Sequence, residues 1–276
     1  VLNLGAPGYE QSLTIRGGGG DAVLLRPLVS VGGAAVLNVY DGAALRDTLS
    51  LSTPGGVQLS GTAELNMHGG VIENCNNSIS VAGGVVVDGA AVFRLCGGTI
   101  RGCKGYGGAV AIGGQGRMEF SAGLIEGCES LSCGGAILLE HSVPIHYGGG
   151  GVAGQIAPGL RMTGGTIRNC KAVTPSSIYT TQYGGGVALY ANAAAAELTG
   201  GVITGCSAVE SGGGAACLFG KLTVDGCAVY DNTADNSADD VFNYGSGGTL
   251  TLGALPDGLT LTATGKPING WYKDLQ

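Results

Sequence analysis

The sequence predicts an all-β chain, wound as a single-stranded, right-handed parallel β-helix with three short strands per coil and about eight or nine coils. Three observations predict it. A seven-residue box recurs along the chain, short apolar runs separated by glycines lie between the boxes, and no segment shows the 3.6-residue apolar period of a helix. Composition agrees: of 276 residues 56 are glycine, 44% are hydrophobic, 12% are charged and 5% are aromatic. The charged fraction is about half that of an average globular domain. The glycines follow no G-X-Y period, which excludes collagen, and the many Val, Ile and Leu exclude a disordered chain.

The box reads GGVIENC (69–75), GGTIRGC (97–103), AGLIEGC (122–128), GGTIRNC (164–170), GGVITGC (200–206) and, more weakly, KLTVDGC (221–227). Between boxes lie pieces such as GGVVVDGAAVFRL (83–95) and GGAVAIGGQGRMEF (107–120), so one repeat holds about three strands and three turns. Stacked coils place equivalent residues on neighbouring rungs about 4.8 Å apart.

The fourth box position is Ile72, Ile100, Ile125, Ile167, Ile203 and Val224, an aliphatic column that must face inward. Two residues before each box stand Met67, Leu95, Phe120, Met162, Leu198 and Phe219. The sixth position is Asn74, Gly102, Gly127, Asn169, Gly205 and Gly226, the residue types that tolerate positive φ, which predicts a left-handed bend at a coil corner.

The fifth position faces outward and reads Glu73, Arg101, Glu126, Arg168, Thr204 and Asp225. Three residues before each box, a second column reads Asn66, Arg94, Glu119, Arg161, Glu197 and Leu218. Alternating sign predicts ion-pair ladders that fix coil register, because alternation cancels the field a charged polymer would need.

Six of nine cysteines, Cys75, Cys103, Cys128, Cys170, Cys206 and Cys227, close the boxes and are expected to stack as structural thiols beside the bend. Inter-coil disulfides are the other reading, since rungs one coil apart fall within the required Cα separation. No C-x-x-C pair occurs, and a linear stack does not converge tetrahedrally, so neither a metal site nor a cofactor is expected. DNTADNSADD (231–240) lacks the spacing of an EF-hand loop and reads as a solvated terminal turn.

The segments GGTIRNCKA (164–172), GGVITGCSA (200–208) and YGGGVALY (183–190) resemble the coils of right-handed β-helix surface proteins from anaerobic Gram-positive gut bacteria. GGAV (107–110) and GGAI (134–137) resemble, more distantly, autotransporter-type polymorphic adhesins. The resemblance implies a pectin lyase-like solenoid and an extracellular location, secreted or wall-anchored. One departure stands out: where the first family stacks Asn, the boxes here carry Cys, and only DNTA (231–234) keeps Asn.

Function is expected on insertions rather than on regular coils. Two coils are long, through segments 140–159 and 173–183, and they gather His141, His146, Tyr147, Tyr179, Tyr183 and Tyr190 as candidate ligand-binding residues. Exposed Tyr suits contact with a host or microbial glycan or protein. The expected role is a non-catalytic adhesin or rigid display scaffold. A polysaccharide lyase or glycoside hydrolase of the same fold is the alternative, with Glu140, His141 and His146 as its only constellation.

A net charge of −7 with no Lys/Arg cluster disfavours nucleic acid, and no apolar run of 18 residues predicts membrane insertion. The chain opens without a basic-then-apolar leader and reads as a monomeric piece of a larger protein. Residues 1–248 are assigned to the β-helix and 249–276 to a C-terminal capping segment.

Overall fold

A computed structural model describes residues 1–6, 13–17, 26–50, 54–77, 82–140, 157–173, 182–245 and 247–254. Every regular element among them is a strand, and every strand pairing is parallel. The chain is a parallel β-helix. Eight strands, from Val29–Val31 to Val241–Asn243, form one sheet in chain order and bound seven full turns. The expected eight or nine coils are reached only by counting the incomplete coils at the two ends.

Each coil has three faces. The first face runs through the residues before the box, such as Glu64–Met67 and residues 92–95. The second holds the box itself, as in residues 99–101 and 124–126. First and second faces form one ten-residue strand in the middle coils, for example Val92–Arg101, with a register shift at the box glycines. A two-residue strand such as Lys104–Gly105 follows the bend, and the third face comes next, as in Val110–Ile112.

The inward columns fall where the sequence puts them. Met67, Leu95, Phe120, Met162 and Leu198 stack on the first face, and Ile72, Ile100, Ile125, Ile167 and Ile203 on the second, all at most 1% exposed. Each such side chain contributes about 1.5–3 kcal/mol by leaving water. Asn74, Gly102, Gly127, Asn169 and Gly205 all have φ between +52° and +63°. Asp47 and Asp231, at +57° and +54°, extend this bend by one coil in each direction.

The sixth box is a correction. Val224 pairs with Leu198 on the first face, while Val229, Tyr230 and Asp231 take the places below Ile203, Thr204 and Gly205. KLTVDGC therefore ends a first-face strand, and Thr223, not Leu218, continues the outer column below Glu197. Asp225 leaves the charge ladder and accepts a hydrogen bond from the Ala254 amide at 2.8 Å. Leu222 and Val224 alternate inward with the period of that face, and AVYDN supplies the buried aliphatic residue, the outward residue and a bend residue that tolerates positive φ. Cys227 is buried but outside the stack, and Asn232 closes the column in its place. Gly248–Leu252 pairs with Gly220–Val224 as one more rung. The rest of the capping segment, from 255, lies outside the described residues.

The charge columns close ion pairs on part of their length. Glu73, 5% exposed, takes Arg46 at 3.2 Å and Arg101 at 2.6 Å, and Glu126 takes Arg168 at 2.7 Å. On the first face Arg94 reaches Glu64 at 2.7 Å and Glu119 at 3.1 Å, continuing an amide ladder from Asn3 through Asn38 to Asn66. A third alternating column, Lys104, Glu129 and Lys171, escaped the sequence reading, and its first pair closes at 3.2 Å.

Cys75, Cys103, Cys128, Cys170 and Cys206 form an unbroken buried column, and none of the nine cysteines forms a disulfide. Asn232 shows what the thiols replace. Its Nδ2 donates to Ile203 O at 3.1 Å and Tyr230 O at 3.0 Å, and its Oδ1 accepts from the Cys206 amide at 2.9 Å. Cys103 Sγ donates toward the equivalent carbonyls, Ile72 O at 3.9 Å and Arg101 O at 3.5 Å. The thiols thus keep the ladder's pattern with weaker bonds. Burial pushes the Cys128 thiol well up, and the whole column is enclosed from solvent. Cys96 is exposed. Ellman's reagent is expected to titrate one thiol promptly in the native protein and nine after denaturation without reductant; two fewer after denaturation would reveal a disulfide.

DNTADNSADD is also firmer than a solvated turn. Asp240 accepts from Asn232 Nδ2 at 2.9 Å and Asp239 from the Ala234 amide at 2.8 Å, with Asp239 only 6% exposed. These carboxylates hold the corner at Asp231 and Asn232.

Candidate ligand-binding face

The outer side of the third face differs from the other two. Register places Val86, Ala111, Leu138, Ala188, Ala216 and Phe242 in one outward column. Outward residues of a solvated face should be polar, yet the first five are at most 1% exposed. Aromatic rings account for part of this cover. Tyr106, Tyr183 and Tyr190 pack against the Cys133–Leu138–Ala188 cluster. Tyr183 stacks on Phe242 at 5.6 Å, Tyr190 meets Phe219 edge-on at 5.6 Å, and Phe242 continues to Tyr244 at 6.4 Å.

Two flanking columns position these rings. Four residues before each third-face strand stand Tyr106, Cys133, Tyr183, Ser211 and Ser237 on successive rungs; one residue after the same strands stand Gly113, Glu140, Tyr190, Leu218 and Tyr244. The amides of Glu140, Tyr190, Leu218 and Tyr244 all donate to the preceding rung, which confirms the shared register. Tyr183 and Tyr190 therefore come together as the two edges of one rung. His141, His146, Tyr147 and Tyr179 lie outside the described residues. Both long insertions are nevertheless rooted on this face: 141–156 follows Glu140 at one edge, and 174–181 precedes Gln182 and Tyr183 at the other, one rung further on.

Glu140 is the chemical oddity of the face. Its Oε2 is buried without a hydrogen-bond partner, and burial raises its pKa to about 7. Burial first, then the Glu140 charge, raises the Tyr106 hydroxyl. Burial likewise raises Tyr183, with the Glu210 carboxylate adding to it. From the rung of Val110–Ile112 to that of Val241–Asn243, the outward column and its two flanking columns contain no Lys or Arg among the described residues.

A cleft of about 210 Å³ on the first face, lined by Arg117, Glu119, Leu160, Arg161 and Glu197, is the competing location. It is smaller than usual ligand pockets, and its Glu119 is already paired with Arg94. Among the described residues no three His, Cys, Asp or Glu side chains gather as a metal site.

Sequence reasoning placed Tyr183 and Tyr190 in the site and missed Tyr106, Phe219, Phe242 and Tyr244. The missing signal was the repeat itself. Aligning GGAV, GGAI and GGGV by their third-face strands, instead of aligning only the boxes, puts Tyr106 and Tyr183 in one column.

Fold and site together define a β-solenoid with an aromatic face that carries no Lys or Arg among the described residues of its three columns and is flanked by the roots of two insertions. Compared with protein-family models, with curated proteins and with solved structures, the chain matches none.

Proposed function

We propose that this chain is a non-catalytic binding and display module of a bacterial surface protein, extracellular and either secreted or wall-anchored. It presents the third face and the 140–159 and 173–183 segments to a host or microbial glycan or protein. The observation that carries the reading is the rooting of both insertions at opposite edges of one face, on neighbouring rungs, around half-exposed tyrosines. The charge ladders and buried columns elsewhere make a rigid support, and a rigid support lowers the ordering cost of binding.

The test is a glycan array paired with assays for released reducing or unsaturated ends. Saturable binding without depolymerisation is expected. Excising 142–156 and 174–181 and bridging each gap with a short glycine linker is expected to abolish that binding and leave the solenoid's melting transition in place. Released ends would replace this reading with a polysaccharide-cleaving enzyme; no binding by the intact chain would reduce it to a spacer.

A further inference from the structure

We infer that the third face takes a neutral, extended hexose chain laid along the solenoid axis, and that it rejects acidic polysaccharides. The inference rests on the binding reading above and narrows it to a ligand class.

Shape supplies the first argument. The aromatic side chains run from the rung of Tyr106 to that of Tyr244, four rung intervals or about 19 Å. Along that length Tyr183, Tyr190, Phe219 and Phe242 are half-buried over small outward residues, and Tyr244 is 52% exposed. This is a shallow apolar strip with polar hydroxyls at its edges. Aromatic rings offer broad apolar contact at little ordering cost, which suits the C–H faces of sugar rings in an extended chain.

Charge supplies the second argument, independently of shape. The strip lies within reach of the Glu210 carboxylate, and among the described residues its three columns carry no cation. A uronate or sulfate group seated there would lose water and meet only like charge, so no measurable binding is expected.

The experiment is calorimetric titration of the unmodified chain with cellohexaose, maltohexaose, chitohexaose and hexagalacturonate at two salt concentrations. At least one neutral hexasaccharide is expected to bind with a Kd unchanged by a tenfold increase in salt, and hexagalacturonate is expected not to bind. The exposed Tyr244→Ala variant is expected to weaken the neutral ligand about tenfold, with its melting temperature checked alongside. Hexagalacturonate binding as tightly as the neutral sugars overturns this inference and leaves the binding reading standing. Unaltered affinity in Tyr244→Ala overturns the location. No binding by any of the four overturns the inference, and the wider array then decides the binding reading separately.

Discussion

Gly185→Ala is expected to cost about 3 kcal/mol, the upper end of the usual overpacking range. Gly55, Gly83, Gly135, Gly185 and Gly213 occupy equivalent positions two residues before the third-face strands. A Cβ on Gly185 would press on the carbonyl oxygens of Gly213 and Ser207 and lie 2.5 Å from the Ser207 amide nitrogen. These atoms belong to the next coil's backbone, so no side chain can rotate away. Relief requires the coils to separate, and separation breaks the ladder bonds Gly185 N to Gly212 O and Gly186 N to Gly213 O, at 3.2 and 3.1 Å. In a solenoid each coil is held by its neighbours, so the damage spreads to both interfaces. Gly33→Ala is the matched control. It has φ +63° but nothing within 4 Å of the added methyl, so only the left-handed conformation is strained, about 1–2 kcal/mol. Urea midpoints compare the two; a Gly185→Ala loss no larger than that of Gly33→Ala would show that the coil spacing yields.

That glycine column also shows what the sequence made legible and what it did not. The GG pairs announced turns, but not which member of each pair was required by conformation and which by space. Buried columns could be read directly, because Ile72 through Ile203 sit at one offset in a motif that repeats with little drift. The sixth box misled for a physical reason. The series V-D-G-C at 224–227 mimics the box, yet the chain there still owes a strand to the first face, and Leu222 and Val224 have the right alternation to supply it. The choice between two placements rests on which gives a bend residue at the corner, and Asp231 performs that role as well as Gly226 would.

The candidate face was half legible. Tyr183 and Tyr190 were found because insertions drew attention to them. Tyr106, Phe219, Phe242 and Tyr244 were not, because they lie in ordinary coils and become neighbours only through stacking. Val86, Leu138 and Ala188 gave a quieter signal: an apolar run of three, such as Val85–Val87, has no outward polar residue. That pattern indicates a strand covered on both sides. Here it marks the face whose exterior is partly covered by aromatic side chains among the described residues.

Glu140→Gln is expected to stabilise the protein by about 3 kcal/mol at pH 8 and to leave stability unchanged near pH 4. The carboxyl's pKa rises from an ordinary 4.5 to about 7 because burial disfavours its charge. Below pH 4.5 the group is protonated in both the folded and unfolded chains, and its contribution is fully intact. Between 4.5 and 7 the unfolded chain ionises while the folded chain resists, so stability falls with rising pH and levels off above 7. The rise from 4.5 to about 7, at about 1.36 kcal/mol for each tenfold change in acidity, gives the magnitude. Asp88 and Asp240 are also raised, principally by burial, so the wild-type curve contains their slopes too. The difference between variant and wild type isolates Glu140. Urea midpoints at pH 4, 6 and 8 make the measurement; a difference that is constant with pH would show that Glu140 is not held neutral by its surroundings. Glutamine fills nearly the same volume and carries no charge to desolvate, so it is the more stable residue at this position above neutral pH. Retaining an ionisable carboxyl there, beside the tyrosines and the root of an insertion, costs stability above neutral pH.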